Sequence, residues 1–456
     1  MSYLDAIIIL AFFVLLCLTG FLASRGKNEK NDFLLNSRKT GLMLFIATNV
    51  STWYGGILGV GEFTYQYGIV NWFTQGFPYY IFALLFALFF ARKVRKASLF
   101  TIPERIEEIY GKKASLISAL IVFILASPAP YILMSGVIIA KLFSLNLFLS
   151  MLISLIFILP FILKGGFKAD LFTDVLQFFF MFLGFAILLI FAFFKLGAFG
   201  YLESGLPPSH LTLTGGMNPL YIFVWFLIAL WTFVDPGFHQ RCYSAKNEKT
   251  AFNGVIISIL LWAFFDFLTT STALYARAKF PSLEVPQWAY FTLAESILPH
   301  GLLGLFYAGI FATILSTLNS FIFISGTTFS LDFAKKLNLK NYSEKRFTKI
   351  GMIISSLLAV LLAYLFPSVI NLWYIIGSVA IPGLIFAVIG AYFDKFRVNE
   401  SLIILEMVLG TSASIVWIFI KKTIPYENLL SNIEPMIVGL FVSLLIHTFG
   451  ILAKKR

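Results

Sequence analysis

Long apolar runs separated by short clusters of charge dominate the pattern along this chain of 456 residues. A helix of about 20 apolar residues crosses a bilayer. Lipid offers the backbone no hydrogen-bond partners, so only helices or closed barrels can span it. These runs are too long and too uniformly apolar for barrel strands, which are short and alternate. The pattern predicts an all-α polytopic membrane protein with about 13 transmembrane helices, at 3–24, 41–69, 75–95, 116–141, 147–164, 172–196, 219–238, 249–275, 300–332, 346–367, 370–393, 402–420 and 432–453. The first run is expected to be a retained span and not a cleaved leader. Its amino-terminal flank carries Asp5 and no Lys or Arg, and no small-residue cleavage pattern follows.

Composition strengthens this reading and excludes others. Charged residues make up 12% of the chain and hydrophobic ones 59%, against about 25% charged in a soluble domain. Lys and Arg number 34; with the amino terminus outside, 28 of them fall in cytoplasmic segments, and the remaining six are Lys141, Lys195, Arg277, Lys279, Lys421 and Lys422. That bias follows the positive-inside rule. It places the protein in a plasma (inner) membrane with the amino terminus outside and the carboxyl terminus cytoplasmic. The net charge of +12 is then explained by topology and anionic lipid, and no nucleic-acid partner is implied. Cys17 and Cys242 are the only cysteines, and His210, His239, His300 and His447 are scattered. No disulfide framework, resident metal cluster, cofactor or catalytic constellation is expected, so the chain does not read as an enzyme.

Two spans carry breaks. The second contains Asn49-Val50-Ser51-Thr52-Trp53-Tyr54-Gly55-Gly56, and the seventh ends in Trp231-Thr232-Phe233-Val234-Asp235-Pro236-Gly237. Glycine relaxes backbone geometry and proline removes a helix donor, and in transporters such unwound carbonyls coordinate ions. A plain kink or close helix packing is the competing explanation. The position of the breaks adds weight: spans two to six and seven to eleven would form two five-helix units of opposite topology, each beginning with a broken helix. The expected division is 1–40 (accessory helix and loop), 41–196 (first unit), 197–218 (extracytoplasmic loop), 219–396 (second unit) and 397–456 (two accessory helices).

Polar residues inside the spans supply the candidate chemistry. Thr313, Ser316, Thr317 and Ser320 share one face of the ninth span. They offer the oxygen ligands a hard cation prefers, or else hydrogen bonds between helices. Intramembrane acids are functional candidates by default, because a central charge costs at least about 2.5–3.5 kcal/mol on insertion scales. Asp266 has no Lys or Arg within a helical turn. It can bind a substrate ammonium, hold a proton, or accept hydrogen bonds from Thr269 or Thr270. Asp174 sits at the cytoplasmic edge of the sixth span, where it can pair with Lys168.

Three segments resemble the sodium:solute symporter family, which includes bacterial proline, galactose and sialic acid symporters. They are Gln240-Arg241-Cys242-Tyr243-Ser244-Ala245-Lys246, the stretch Gly165-Gly166 through Thr173-Asp174-Val175-Leu176-Gln177, and Ala312 through Ser320 with Asp332 beyond. The resemblance implies a leucine-transporter-type core of 5+5 inverted repeats and sodium as coupling ion. It implies a sodium site built from the carbonyls of Ala47, Val50 and Thr313 with the hydroxyls of Ser316 and Thr317. It also implies a substrate region around Asn49, Ser51, Trp53, Gln75, Trp231 and Asp266, and a cation path past Asp174. Gln75 and Trp262 stand where sugar symporters of the galactose type carry Glu and Lys, which argues against galactose-like chemistry. The function implied is inward sodium-driven uptake of a small polar organic solute, an amino acid being one candidate, by alternating access. A proton-coupled symporter using Asp266 is the near rival. A channel or membrane-embedded enzyme is more remote, since no pore motif or catalytic cluster is visible. The family's kinase-fused sensors are not expected, because the chain ends after the last span. Lipid, sodium and the solute are the expected partners; the pattern does not address oligomeric state.

Overall fold

The computed structural model describes residues 2–24, 30–424, 430 and 433–454. Among them no β-strand forms, and a single parallel bridge pairs Thr40 with Ala245. Eleven helices are long and apolar enough to cross a membrane, or 12 when the bent pair Leu42–Tyr54 and Ile57–Tyr67 is taken as one span. The shorter apolar helix Leu147–Pro160 occupies the place of the fifth predicted span, so each predicted span has its helix. Arg25, Lys27, Lys455 and Arg456, used in the charge bias, lie outside the described residues.

The second span breaks where its glycines predict. Helix Leu42–Ser51 passes through a 3-10 turn at Thr52–Tyr54 and resumes as Ile57–Tyr67, bent by 53°. The seventh breaks into Pro219–Ile228, Trp231–Val234 and Pro236–Ser244. It runs further than the predicted end at 238, because Asp235 caps a new helix started by Pro236: its carboxylate accepts from the Phe238 N–H at 2.7 Å. The fourth span is interrupted as well, between Lys112–Leu125 and Ala129–Phe143. Pro128 and Pro130 lie at that interruption, which the apolar pattern did not mark.

The loop expected between the fifth and sixth spans is helical. Leu147–Leu196 is continuous except at Gly166, whose φ of 59° and ψ of −147° depart from the helix. A side chain there would meet the ring and carbonyl of Phe33 at 2.5–2.6 Å, so glycine is required both by conformation and by space. Asp170 and Asp174 consequently sit one turn apart on a buried helix face.

The ninth span, Leu302–Thr327 continuing as a π-helical turn through Ala334, is buried from Phe306 to Thr328 and forms the axis of the bundle. The first span exposes Ile7, Leu10, Val14 and Leu18, as a helix facing lipid does. It is fixed to the ninth through Asp5, which accepts from the Gly301 and Gly304 N–H groups at 2.7 and 2.9 Å. The last two spans, Glu400–Lys421 and Pro435–Lys454, are joined by a buried contact of His447 with Glu406 at 2.8 Å.

Candidate functional site

The break in the second span lies against the hydroxyl face of the ninth. Ser316 donates to the Ser51 carbonyl at 2.8 Å and Thr317 to the Thr52 carbonyl at 2.7 Å. Ser316 also lies 3.1 Å from the Thr313 carbonyl, and the Thr313 hydroxyl donates back to Gly309. Thr313, Ser316 and Thr317 are thus gathered at the break with their side chains buried. The carbonyls they meet are those of Ser51 and Thr52, a turn beyond Ala47 and close to Val50. Gly55 makes the approach possible, since a Cβ there would come within 2.3 Å of the Thr317 side chain.

A cavity opens beside the two breaks; the empty space in it and its solvent-open mouth together amount to about 970 Å³. The second span contributes Asn49, Thr52, Trp53 and Tyr54, and the third contributes Gln75 and Tyr79. From the seventh come Trp231, Asp235 and Arg241, and from the eighth Asp266. Five of the six predicted substrate-region residues therefore share this cavity: Asn49, Trp53, Gln75, Trp231 and Asp266. Ser51 does not line it and instead offers its carbonyl to the ninth span. Trp231 is held in place by donating from its indole nitrogen to Asp235 at 3.0 Å. Trp53 packs on Tyr79, Phe238 and Trp262 at centroid separations of 5.1–5.2 Å.

Arg241 corrects the sequence reading. Assigned there to a cytoplasmic loop, it is buried, because the helix begun at Pro236 carries it back into the bundle. One guanidinium nitrogen donates to Thr52 and Ser320 hydroxyls, each at 2.7 Å. It lies 3.8 Å from Asp170 and 3.6 Å from Asp174. Asp170 also accepts from Ser320 at 2.6 Å, and Asp174 accepts from the hydroxyls of Thr48 and Thr52. Asp174 therefore belongs to a buried cluster joining the second, sixth, seventh and ninth spans; its basic partner in the cluster is Arg241. Nothing in the periodicity pointed to this cluster. The signal available was the pair of acids at i and i+4 together with a basic residue just past a broken helix.

Asp266 is also placed differently from the simplest structural alternative. Its carboxylate accepts from the Tyr80 hydroxyl, whereas the Thr269 hydroxyl turns to the backbone carbonyls of Phe265 and Asp266. Tyr54 fixes the neighbouring turn by donating to the Trp262 carbonyl at 2.8 Å.

A helical bundle with two spans broken beside a common cavity is the architecture of a secondary transporter. The chain belongs to the sodium:solute symporter family, whose model matches residues 35–408. Solute carrier family 5 member 4 of Rattus norvegicus is 27% identical over 417 residues, 78% of this chain and 61% of that protein. The sodium/glucose cotransporter 1 of Ovis aries is 26% identical over 401 residues, 75% and 59% of the two chains. This chain thus spans about three-fifths of the length of these relatives. The sodium/proline symporter of Staphylococcus aureus is 23% identical across 98% of this chain and 93% of its own. In fold, the chain matches a substrate-bound, outward-open Na+-coupled sialic acid symporter with a TM-score of 0.81 at 14% identity, covering 99% and 98% of the two chains. A nucleobase-cation-symport-1 family transporter in a closed conformation matches at 0.63 and 13% identity, covering 92% and 94%. The fold is that of the leucine-transporter type.

Proposed function

We propose that the protein is a secondary active transporter that couples inward sodium flow to uptake of a small polar organic solute by alternating access. The observation that carries this reading is the junction of the second span's break with Ser316 and Thr317 beside a cavity lined by Asn49, Trp53, Gln75, Trp231 and Asp266. In this reading sodium is held by carbonyls of the broken span, those of Ala47 and Val50, by the Thr313 carbonyl, and by the two hydroxyls. Its binding ties the break to the ninth span and favours the outward-open state. Solute then binds beside both breaks and the core rocks inward, driven by the sodium gradient because the two binding events are linked. Asp174 lies on the cation's inward path.

The core divides as 41–196 and 219–396, flanked by one accessory helix before and two after. The amino terminus faces outward across a plasma (inner) membrane. Labelling of single cysteines at Ser209 and Lys340 by a membrane-impermeant thiol reagent tests the orientation: reaction at Lys340 on intact cells would reverse it. The protein carries out no covalent chemistry and needs no cofactor beyond the coupling ion.

The test of coupling is thermal unfolding of the purified full chain with and without sodium, across amino acids, sugars and organic acids. A species that binds only the folded state raises the unfolding midpoint. Stabilisation by a solute only when sodium is present establishes coupling. Stabilisation that follows low pH and ignores sodium would move the reading to a proton-coupled carrier with Asp266 as its proton site, a reading favoured by that carboxylate's pairing with Tyr80.

A further inference from the structure

Three charged side chains line the cavity: Asp235, Arg241 and Asp266. Asp235 receives the Phe238 N–H and the Trp231 indole. One nitrogen of Arg241 faces Asp170 and Asp174, while its Nε and Nη1 are buried without a hydrogen-bond partner. Asp266 accepts the Tyr80 hydroxyl, and among the described residues it has no basic partner. No lysine lines the cavity. Counting the acids behind the lining, Asp170, Asp174, Asp235 and Asp266 stand against the single guanidinium.

The wall near this acid is aromatic. Trp53, Tyr79 and Phe238 line the cavity and meet one another through Trp53. Behind them Trp262, one turn before Asp266 on the same helix, lies tilted against Trp53 at 5.2 Å. Ring faces attract cations through their quadrupole, the more strongly where water is excluded. An anionic solute would meet an excess of carboxylates here. A neutral sugar would leave Asp266 without a counter-charge inside the membrane, where such a charge is costly.

We propose that the solute carries a protonated amine or quaternary ammonium group, with the Asp266 carboxylate as its counter-ion and the rings around Trp53 as its walls. This rests on the cavity being the transport site.

The experiment measures the unfolding midpoint of the full chain in saturating sodium with matched probes: choline against 3,3-dimethyl-1-butanol, L-proline against cyclopentanecarboxylate, and D-galactose and citrate. The amines are expected to stabilise and their amine-free analogues are not. Asp266→Asn is expected to weaken amine binding at least tenfold while keeping the midpoint shift produced by sodium alone, which shows that the variant is folded. Tyr80→Phe removes only the hydroxyl that orients the carboxylate and is expected to weaken amine binding severalfold. The proposal is overturned if galactose, citrate or the amine-free analogues lead the stabilisation, if no amine stabilises, or if Asp266→Asn leaves amine binding unchanged. Sodium alone having no effect on the wild-type chain counts against sodium coupling and leaves the comparison of amines readable.

Discussion

The Thr317 hydroxyl donates to the Thr52 carbonyl across 2.7 Å, fastening the ninth span to the break in the second. Ser316 makes the matching contact with Ser51 at 2.8 Å. Each hydroxyl gives one proton and keeps lone pairs, so the fastening is compatible with the same oxygens acting as cation ligands. A bound cation would reinforce a contact that already exists between two elements.

Replacing both side chains, Ser316→Ala with Thr317→Ala, removes the two hydroxyls proposed as sodium ligands and two helix-to-break hydrogen bonds, each worth about 0.5–1.5 kcal/mol. Sodium-stimulated uptake is expected to be abolished, with the sodium needed for half-maximal stabilisation rising at least about tenfold, the equivalent of 1.4 kcal/mol. Titration of the unfolding midpoint with sodium checks this, and an unchanged sodium dependence would remove the site from these residues.

The same junction can be disturbed without removing either hydroxyl of the proposed sodium site. A Cβ on Gly55 would come within 2.3 Å of Thr317, whereas one on Gly41, at the start of the same span, meets nothing within 4 Å. Gly55→Ala is expected to cost about 1–3 kcal/mol by overpacking and to weaken sodium binding, and Gly41→Ala to be close to neutral. Melting curves of the two variants decide it, since equal midpoints would mean the junction is loosely packed.

What could be read along the chain and what could not divides at a physical boundary. The apolar cores of the spans, the bend after Asn49 to Gly56 and the break at Asp235-Pro236 are local consequences of hydropathy, glycine and proline, and they appear in the structure. The interruption of the fourth span and the helical link between the fifth and sixth do not follow from the apolar pattern. The hydroxyl face of the ninth span is equally local, being set by helical spacing. The partners of that face are not. That Ser316 meets Ser51 and Thr317 meets Thr52 depends on the register between helices some 265 residues apart. Arg241 was misplaced for the same reason. Its neighbours in sequence are polar and suit a loop, and only the Asp235 cap and the distant acids Asp170 and Asp174 make a buried helix the better solution. The hydroxyl of Tyr80 was hidden among aromatics that make up 18% of the chain.

Arg241→Gln leaves Asp170 and Asp174 buried one turn apart with their shared cation removed. Breaking a buried ion pair by deleting one partner costs about 3–5 kcal/mol. A large fall in the unfolding midpoint is therefore expected, and adding Asp170→Asn should recover part of it by removing one of the two orphaned charges. Additive losses in the double variant would show that the acids and Arg241 do not act as one unit.

Asp5 fastens the first span to the start of the ninth, far from the candidate site. One carboxylate oxygen caps the start of the ninth span through the Gly301 and Gly304 N–H groups, and the other accepts from the backbone N–H and hydroxyl of Ser2 at 2.8 and 2.7 Å. A single side chain therefore closes the ends of two helices, and Gly304 admits the Asp5 backbone so closely that a Cβ there would lie 2.6 Å from it. Asp5→Ala strands these donors, each at a cost of about 1–3 kcal/mol where buried. Because the first span otherwise presents apolar side chains to lipid, the loss should loosen its attachment without unfolding the bundle. Hydrogen exchange is expected to quicken in residues 2–8 and 301–305, with the amides of Ser316 to Ser320 unchanged. Faster exchange reaching Ser316 would mean that the first span holds the hydroxyl face itself in register, making it part of the support of the proposed sodium site.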